Sequence, residues 1–179
     1  MAEVTTTMEP NAVIAASFIS SAKKTTMHET ASLAHLLRLV SPTLPVGAYS
    51  YSQGLEWAIE DGSVRDEATA LVWIRGGLEH VLARFEAPVA LRLFRAWAVQ
   101  DMEAVRRWNE RFLAGRETAE LYAETVQMGY SMKRLLGELG FQTNEAKTAL
   151  DSLDPCCFPA AFAFAAMDVN VGERNMLLG

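Results

Sequence analysis

The chain has 179 residues, half of them hydrophobic and 21% charged, a balance that suits one globular domain with a real core. Its net charge of −6 argues against nucleic acid as a partner. Backbone recognition needs a basic stripe, and the densest basic spots, Arg106 with Arg107 and Lys133 with Arg134, are short and flanked by acids.

The first 28 residues hold NAVIAASFISSAKK, which faintly resembles the apolar part of a secretory signal. Glu3 and Glu9 precede it, no basic segment opens it, and Lys23 and Lys24 follow it. The reading is therefore a disordered or extraneous leader over 1–28, with Met27 placed as a natural start. Thr30 or Ser32 then caps a first helix whose apolar face is Leu33, Leu36, Leu37 and Val40. Ser41 and Pro42 stop it.

Residues 39–56, LVSPTLPVGAYSYSQGLE, force a particular backbone. Pro42 and Pro45 fix φ and push Ser41 and Leu44 toward extended geometry. Gly47 permits a turn closed to other residues. Ser50 and Gln53 have capping-box spacing, so a helix from Ser50 to about Asp61 is predicted, with Gly62 stopping it. Clusters of this kind are usually connections. The sharper alternative is a stiff loop presented to a partner, with Tyr49, Tyr51 and Trp57 as anchor types.

Asp66 caps the next predicted helix, where Leu71, Ile74, Leu78, Val81 and Phe85 recur at helical spacing. Gly76 and Gly77 lie in its middle and imply either close approach of another helix or a local kink. Pro88 marks a new start, with Ala90, Leu93, Phe94 and Trp97 as the apolar face. Asp101 begins a helix that carries Met102, Val105, Trp108 and Phe112 and ends at Gly115. The longest helix runs from Glu117 to Leu139. It sets Leu121, Met128, Met132, Leu135 and Leu139 on one side and Glu120, Gln127, Arg134 and Glu138 in a separate polar row. A short helix from Asn144 to about Leu150 is broken at Asp154 and Pro155, and Phe158–Met167 reads as a buried helix. No segment alternates with period two. The predicted fold is all-α, a single-domain bundle of about seven to eight helices with short connections.

No convergent chemistry is written in the chain. His28, His35 and His80 form no H-x-H, H-x-x-x-H or H-E-x-x-H pair. Cys156 and Cys157 are adjacent, build no disulfide framework and fit a reducing cytoplasm. As ligands two neighbouring thiols cannot close a metal site alone, so they read first as buried small residues and only weakly as metal candidates with His80. Ser50 and Ser52 lack a nucleophile elbow, and no phosphate-binding glycine motif exists. Glu56 and Glu60 share a helix face and read as a solvated acidic edge. No apolar run reaches membrane-span length.

SPTLPVGAYSYSQGLEWAIEDGSV, RETAELYAETVQMGYSMKRLL and FPAAFAFAA together resemble the urease accessory protein UreF family over about residues 31–166. The resemblance implies an all-α cytoplasmic protein without catalysis of its own. It implies a homodimer that binds UreD (also called UreH) and the GTPase UreG, docks on apo-urease and assists nickel insertion, with nickel handled by the complex rather than bound here as a cofactor. The GTPase would be regulated in that assembly.

Carried over residue by residue, the first motif is matched by Pro42, Leu44, Pro45, Gly47, Tyr49, Ser50, Tyr51, Ser52, Gly54, Leu55 and Glu56. Glu117, Met128 and Gly129 match the second. Of these, all but Leu44 and Leu55 are the candidate partner-binding residues that the resemblance implies. Ala48 stands where the family usually has Gly, Tyr49 where it usually has Phe, and Cys157 where a His often precedes the aromatic–Pro pair.

The family-like domain is thus set at 29–166, and 167–179, MDVNVGERNMLLG, is read as an atypical tail that looks truncated or frame-shifted. Bare apolar faces and a weakened UreD interaction are expected from that end. Two other readings stay open: a small helical metal carrier or enzyme using His80 with Cys156 and Cys157, and an inactive truncated remnant.

Overall fold

The computed structural model describes residues 30–47, 52, 54–139 and 144–178, and no strand occurs among them. In chain order the helices are α1 (30–39), α2 (Leu55–Glu60), α3 (Glu67–Gly76), α4 (Ala87–Ala98), α5 (Met102–Ala114), α6 (Ala119–Leu139), α7 (Asn144–Asp151), α8 (Phe158–Asp168) and α9 (Glu173–Leu178). A π-helical stretch, Gly77–Glu86, joins α3 to α4. The all-α prediction holds. Among the described residues no helix is long and apolar enough to cross a membrane.

The core closes on α8. Its alanines at 160, 161, 163, 165 and 166 are all fully buried, and their small side chains let α4 and α6 pack close on either side. Trp97 of α4 donates from Nε1 to the Ala160 carbonyl at 3.0 Å and meets the Phe164 ring edge-on at 4.9 Å between centroids. Leu93, Val105, Met132 and Leu136 fill the space between the four helices. Burying such a side chain contributes about 1.5–3 kcal/mol, so this layer carries much of the stability.

The local signals act largely as the sequence predicts. Asp66 and Thr69 exchange side-chain and backbone bonds in a reciprocal cap at the start of α3. Asp101 accepts from the Ala104 N–H at 2.9 Å, and Gly62 ends α2 with φ 83°. Along α6, Met128 and Met132 are buried while Glu120, Gln127, Arg134 and Glu138 are exposed.

Three expectations change. The helix predicted from Ser50 begins instead at Leu55, because Gly54 takes φ 86° and Leu55 N–H closes a turn on the Ser52 carbonyl. The proposed Ser50–Gln53 cap lies outside the described residues. Pro88 starts no separate helix: the chain is helical from Glu67 through Ala98, with Pro88 in the first turn of α4. A proline ring clashes with the carbonyl four residues back in an α-helix, and the wider π turn before it relieves that contact. The Ala87 N–H accordingly bonds the Leu82 carbonyl, five residues back. Finally, the face of Leu71, Ile74, Leu78 and Val81 is exposed, not buried; of that row only Phe85 packs against the core.

The 1–28 leader also lies outside the described residues. Residue 166 falls inside α8, and the segment after it packs: Val171 and Met176 are buried, and Arg95 of α4 pairs with Glu173 of α9 at 2.5 Å. Ser32 of α1 donates to the Asn170 carbonyl at 2.8 Å, which ties the two ends of the described chain together.

Candidate partner-binding surface

The loop after α1 is built from consecutive tight turns. Leu44 N–H bonds the Ser41 carbonyl at 2.9 Å, and Val46 N–H bonds the Leu44 carbonyl at 2.8 Å. Ser41 Oγ and Thr43 Oγ1 lie 2.8 Å apart, which fixes the first turn from within. Gly47 then takes φ 83°, the left-handed region expected of it. Val46 points into the fold, whereas Pro42, Pro45 and Gly47 face solvent. Stiff, exposed prolines over a buried anchor are what a preorganised contact loop requires. Tyr49, Ser50 and Tyr51 lie outside the described residues. Ser52 is half-buried, and Gly54 and Glu56 are exposed.

A groove of about 470 Å³ runs beneath this loop. Leu39, Leu44, Val46, Leu82, Phe162 and Met176 are among the residues that line it. Glu86 also lines it. Arg116 meets Glu86 at 2.7 Å, and its guanidinium lies 4.2 Å from the Phe112 ring centre and 5.4 Å from Phe85. The two rings stack at 5.6 Å. Both charges are largely out of water, so removing either partner would strand the other. Arg116 Nε is buried with no hydrogen-bond partner among the described residues, which leaves the aromatic faces and Glu86 as its compensation.

The second motif is placed differently. Glu117 is exposed ahead of α6, but Met128 and Gly129 are buried. A Cβ at Gly129 would sit 2.0 Å from the Cys156 carbonyl oxygen, so α6 here touches the 155–157 backbone directly. That backbone is pinned from two more sides. Asn109 donates to the Pro155 carbonyl at 2.9 Å and accepts from the Cys157 N–H at 2.8 Å. Thr125 Oγ1 accepts from the Phe158 N–H at 3.2 Å. Met128 and Gly129 are therefore packing residues against that segment and not part of an exposed contact surface. Sequence reasoning missed Asn109, Thr125 and Arg116 because nothing in their spacing marks them.

His80 is exposed on the π-helical stretch, while Cys156 and Cys157 are buried under α6. Among the described residues no three His, Cys, Asp or Glu side chains gather as a ligand set. Burial pushes the Cys156 thiol up to about 11, and burial with the neighbouring Cys156 pushes Cys157 up as well. The thiolate is the ligating and nucleophilic form, so both sulfurs are in their inert state near neutral pH. Glu56 and Glu60 lie exposed on α2, as the acidic-edge reading has it.

Fold and surface together define an all-helical protein, and among its described residues no three His, Cys, Asp or Glu side chains gather. The family model for UreF matches residues 64–179, and the chain belongs to the UreF family. The match passes residue 166 and includes α9.

Similar curated proteins carry the name urease accessory protein UreF. That of Janthinobacterium sp. (strain Marseille) is 50% identical over 147 residues, covering 82% of this chain and 65% of the relative. That of Azoarcus sp. (strain BH72) is 57% identical over 136 residues, covering 75% of this chain and 58% of the relative. That of Methylobacillus flagellatus is 47% identical over 151 residues, covering 84% of this chain and 66% of the relative. The chain thus spans a little under two thirds of the length of these relatives.

Proposed function

We propose that this chain acts as a non-catalytic subunit in urease maturation, in the cytoplasm, within a complex that inserts nickel. Its partners in this reading are UreD (UreH), the GTPase UreG and apo-urease, with a second copy of itself as the dimer partner. Nickel is cargo of the complex, and regulation of the GTPase belongs to the assembly. The observation that carries the reading is the family match over residues 64–179, together with relatives named as urease accessory proteins. The stiff, exposed loop over an apolar groove supports a role played through contact.

Co-expression with UreD and UreG, followed by purification on a tag carried by this chain, tests it. UreG and UreD are both expected to be recovered. Recovery of neither sinks the functional reading and leaves the family assignment intact.

A further inference from the structure

Charge is spread unevenly along this acidic chain. Half of its sixteen Lys and Arg side chains fall between Arg75 and Arg116, in a molecule of net charge −6. Three of them are matched by a carboxylate: Arg75 by Glu79, Arg95 by Glu173 and Arg116 by Glu86. Asp101, in the same stretch, is engaged by the Ala104 N–H at the start of α5. That leaves Glu103 and Glu110 against Arg84, Arg92, Arg106, Arg107 and Arg111. Among the described residues none of these five arginines is in an ion pair.

Three of the five meet around one ring. Arg92 of α4 lies over Trp108 of α5, 5.0 Å from the ring centre, and donates to the Pro88 carbonyl at 2.8 Å. Those two contacts hold its guanidinium in place and leave further N–H groups open. Arg107 and Arg111 are four apart on α5, and Trp108 lies three before Arg111. The three therefore share a sector of roughly 100° on the helix. Arg92, Arg107 and Arg111 are exposed and Trp108 is half-buried. Like charges four apart oppose helix stability, so the chain on its own gains nothing from this pair.

We propose that this α4–α5 face docks an acidic segment of a protein partner, with two carboxylates about 6 Å apart, the rise from Arg107 to Arg111. A partner helix offers such a pair at i and i+4. Each arginine takes a carboxylate through paired N–H groups, and Trp108 with Arg92 over it supplies an aromatic anchor beside the charges. Nucleic acid is the weaker fit: Glu103 and Glu110 lie beside the arginines on α5, and the negative molecule as a whole repels phosphate. The inference does not rest on the urease reading.

The test uses two fluorescein-labelled, alanine-based helical peptides, one with two Glu four apart and one with Gln in their place. Their binding to this chain is read by fluorescence anisotropy, with a labelled single-stranded oligonucleotide beside them. Expected are at least tenfold tighter binding of the Glu peptide at low salt, weakening as salt is raised, and loss of that preference in Arg107→Gln/Arg111→Gln. Arg106 lies about 100° or more round the helix from both, so Arg106→Gln should keep the preference. All three positions are exposed, so both variants should melt with the parent. The proposal is overturned if the Glu peptide binds no tighter than the Gln peptide, or if the double variant keeps the preference. Equal loss in Arg106→Gln also overturns it, as general charge attraction, and so does tighter binding of the oligonucleotide than of the Glu peptide.

Discussion

Gly129→Ala should be among the most damaging single substitutions in the chain. The added Cβ would lie 2.0 Å from the Cys156 carbonyl oxygen, 2.9 Å from its carbon and 3.0 Å from the Cys157 carbonyl carbon. These are backbone atoms and cannot swing aside as a side-chain tip can. Moving them breaks the bonds that Asn109 and Thr125 make to Pro155, Cys157 and Phe158. Overpacking alone costs about 1–3 kcal/mol, and the strained bonds add to it. A total of about 4 kcal/mol lowers the melting temperature of a chain this long by roughly 10 °C. Gly137→Ala is the control on the same helix. Nothing lies within 4 Å of its Cβ, so it should stabilise by about 1 kcal/mol through helix propensity. Thermal melts of the two variants should therefore shift in opposite directions; a matching shift would remove the close approach of α6 from the account.

Asn109→Leu is the second large effect. Asn109 is only 4% exposed and serves the 155–157 segment with both ends of its amide. Leucine has similar bulk and makes neither bond. The Cys157 N–H and the Pro155 carbonyl would then be left to find partners in a closed space, at about 1–3 kcal/mol for each group left unsatisfied. Denaturant unfolding should show a loss of about 2–5 kcal/mol. Cys157 should also become open to alkylation at pH 8 under native conditions, since its inertness rests on burial. A Leu variant as stable as the parent, with silent thiols, would mean that the segment is held by α8 packing alone.

Much of the fold was legible because its signals are local. Asp66, Asp101, Gly62 and Gly115 each act on their own helix end, and the periodicity of α6 sorts its faces without help from elsewhere. The misses lie where two distant segments meet. Gly129 stands in the sequence only as part of a motif with a candidate partner role, and its packing function shows once Cys156 is placed against it. Asn109 reads as one more polar residue until Pro155 and Cys157 are placed on either side. The row from Leu71 to Val81 has the spacing of a buried face, but spacing reports that a face exists and not what covers it. The π-helical stretch was illegible for a related reason: a proline after helical sequence signals a break, and only a wider turn lets the chain pass through it.

The loop from Leu39 to Glu56 carries the central proposal, that this protein works through contact. The most direct measurement compares melting and partner recovery for the Tyr49→Ala/Tyr51→Ala double variant, co-expressed with UreD and UreG. Contact at the loop predicts recovery of the partners cut by tenfold or more while the melting temperature stays within a few degrees of the parent. Parallel loss of both would return the loop to a packing role and contradict the account.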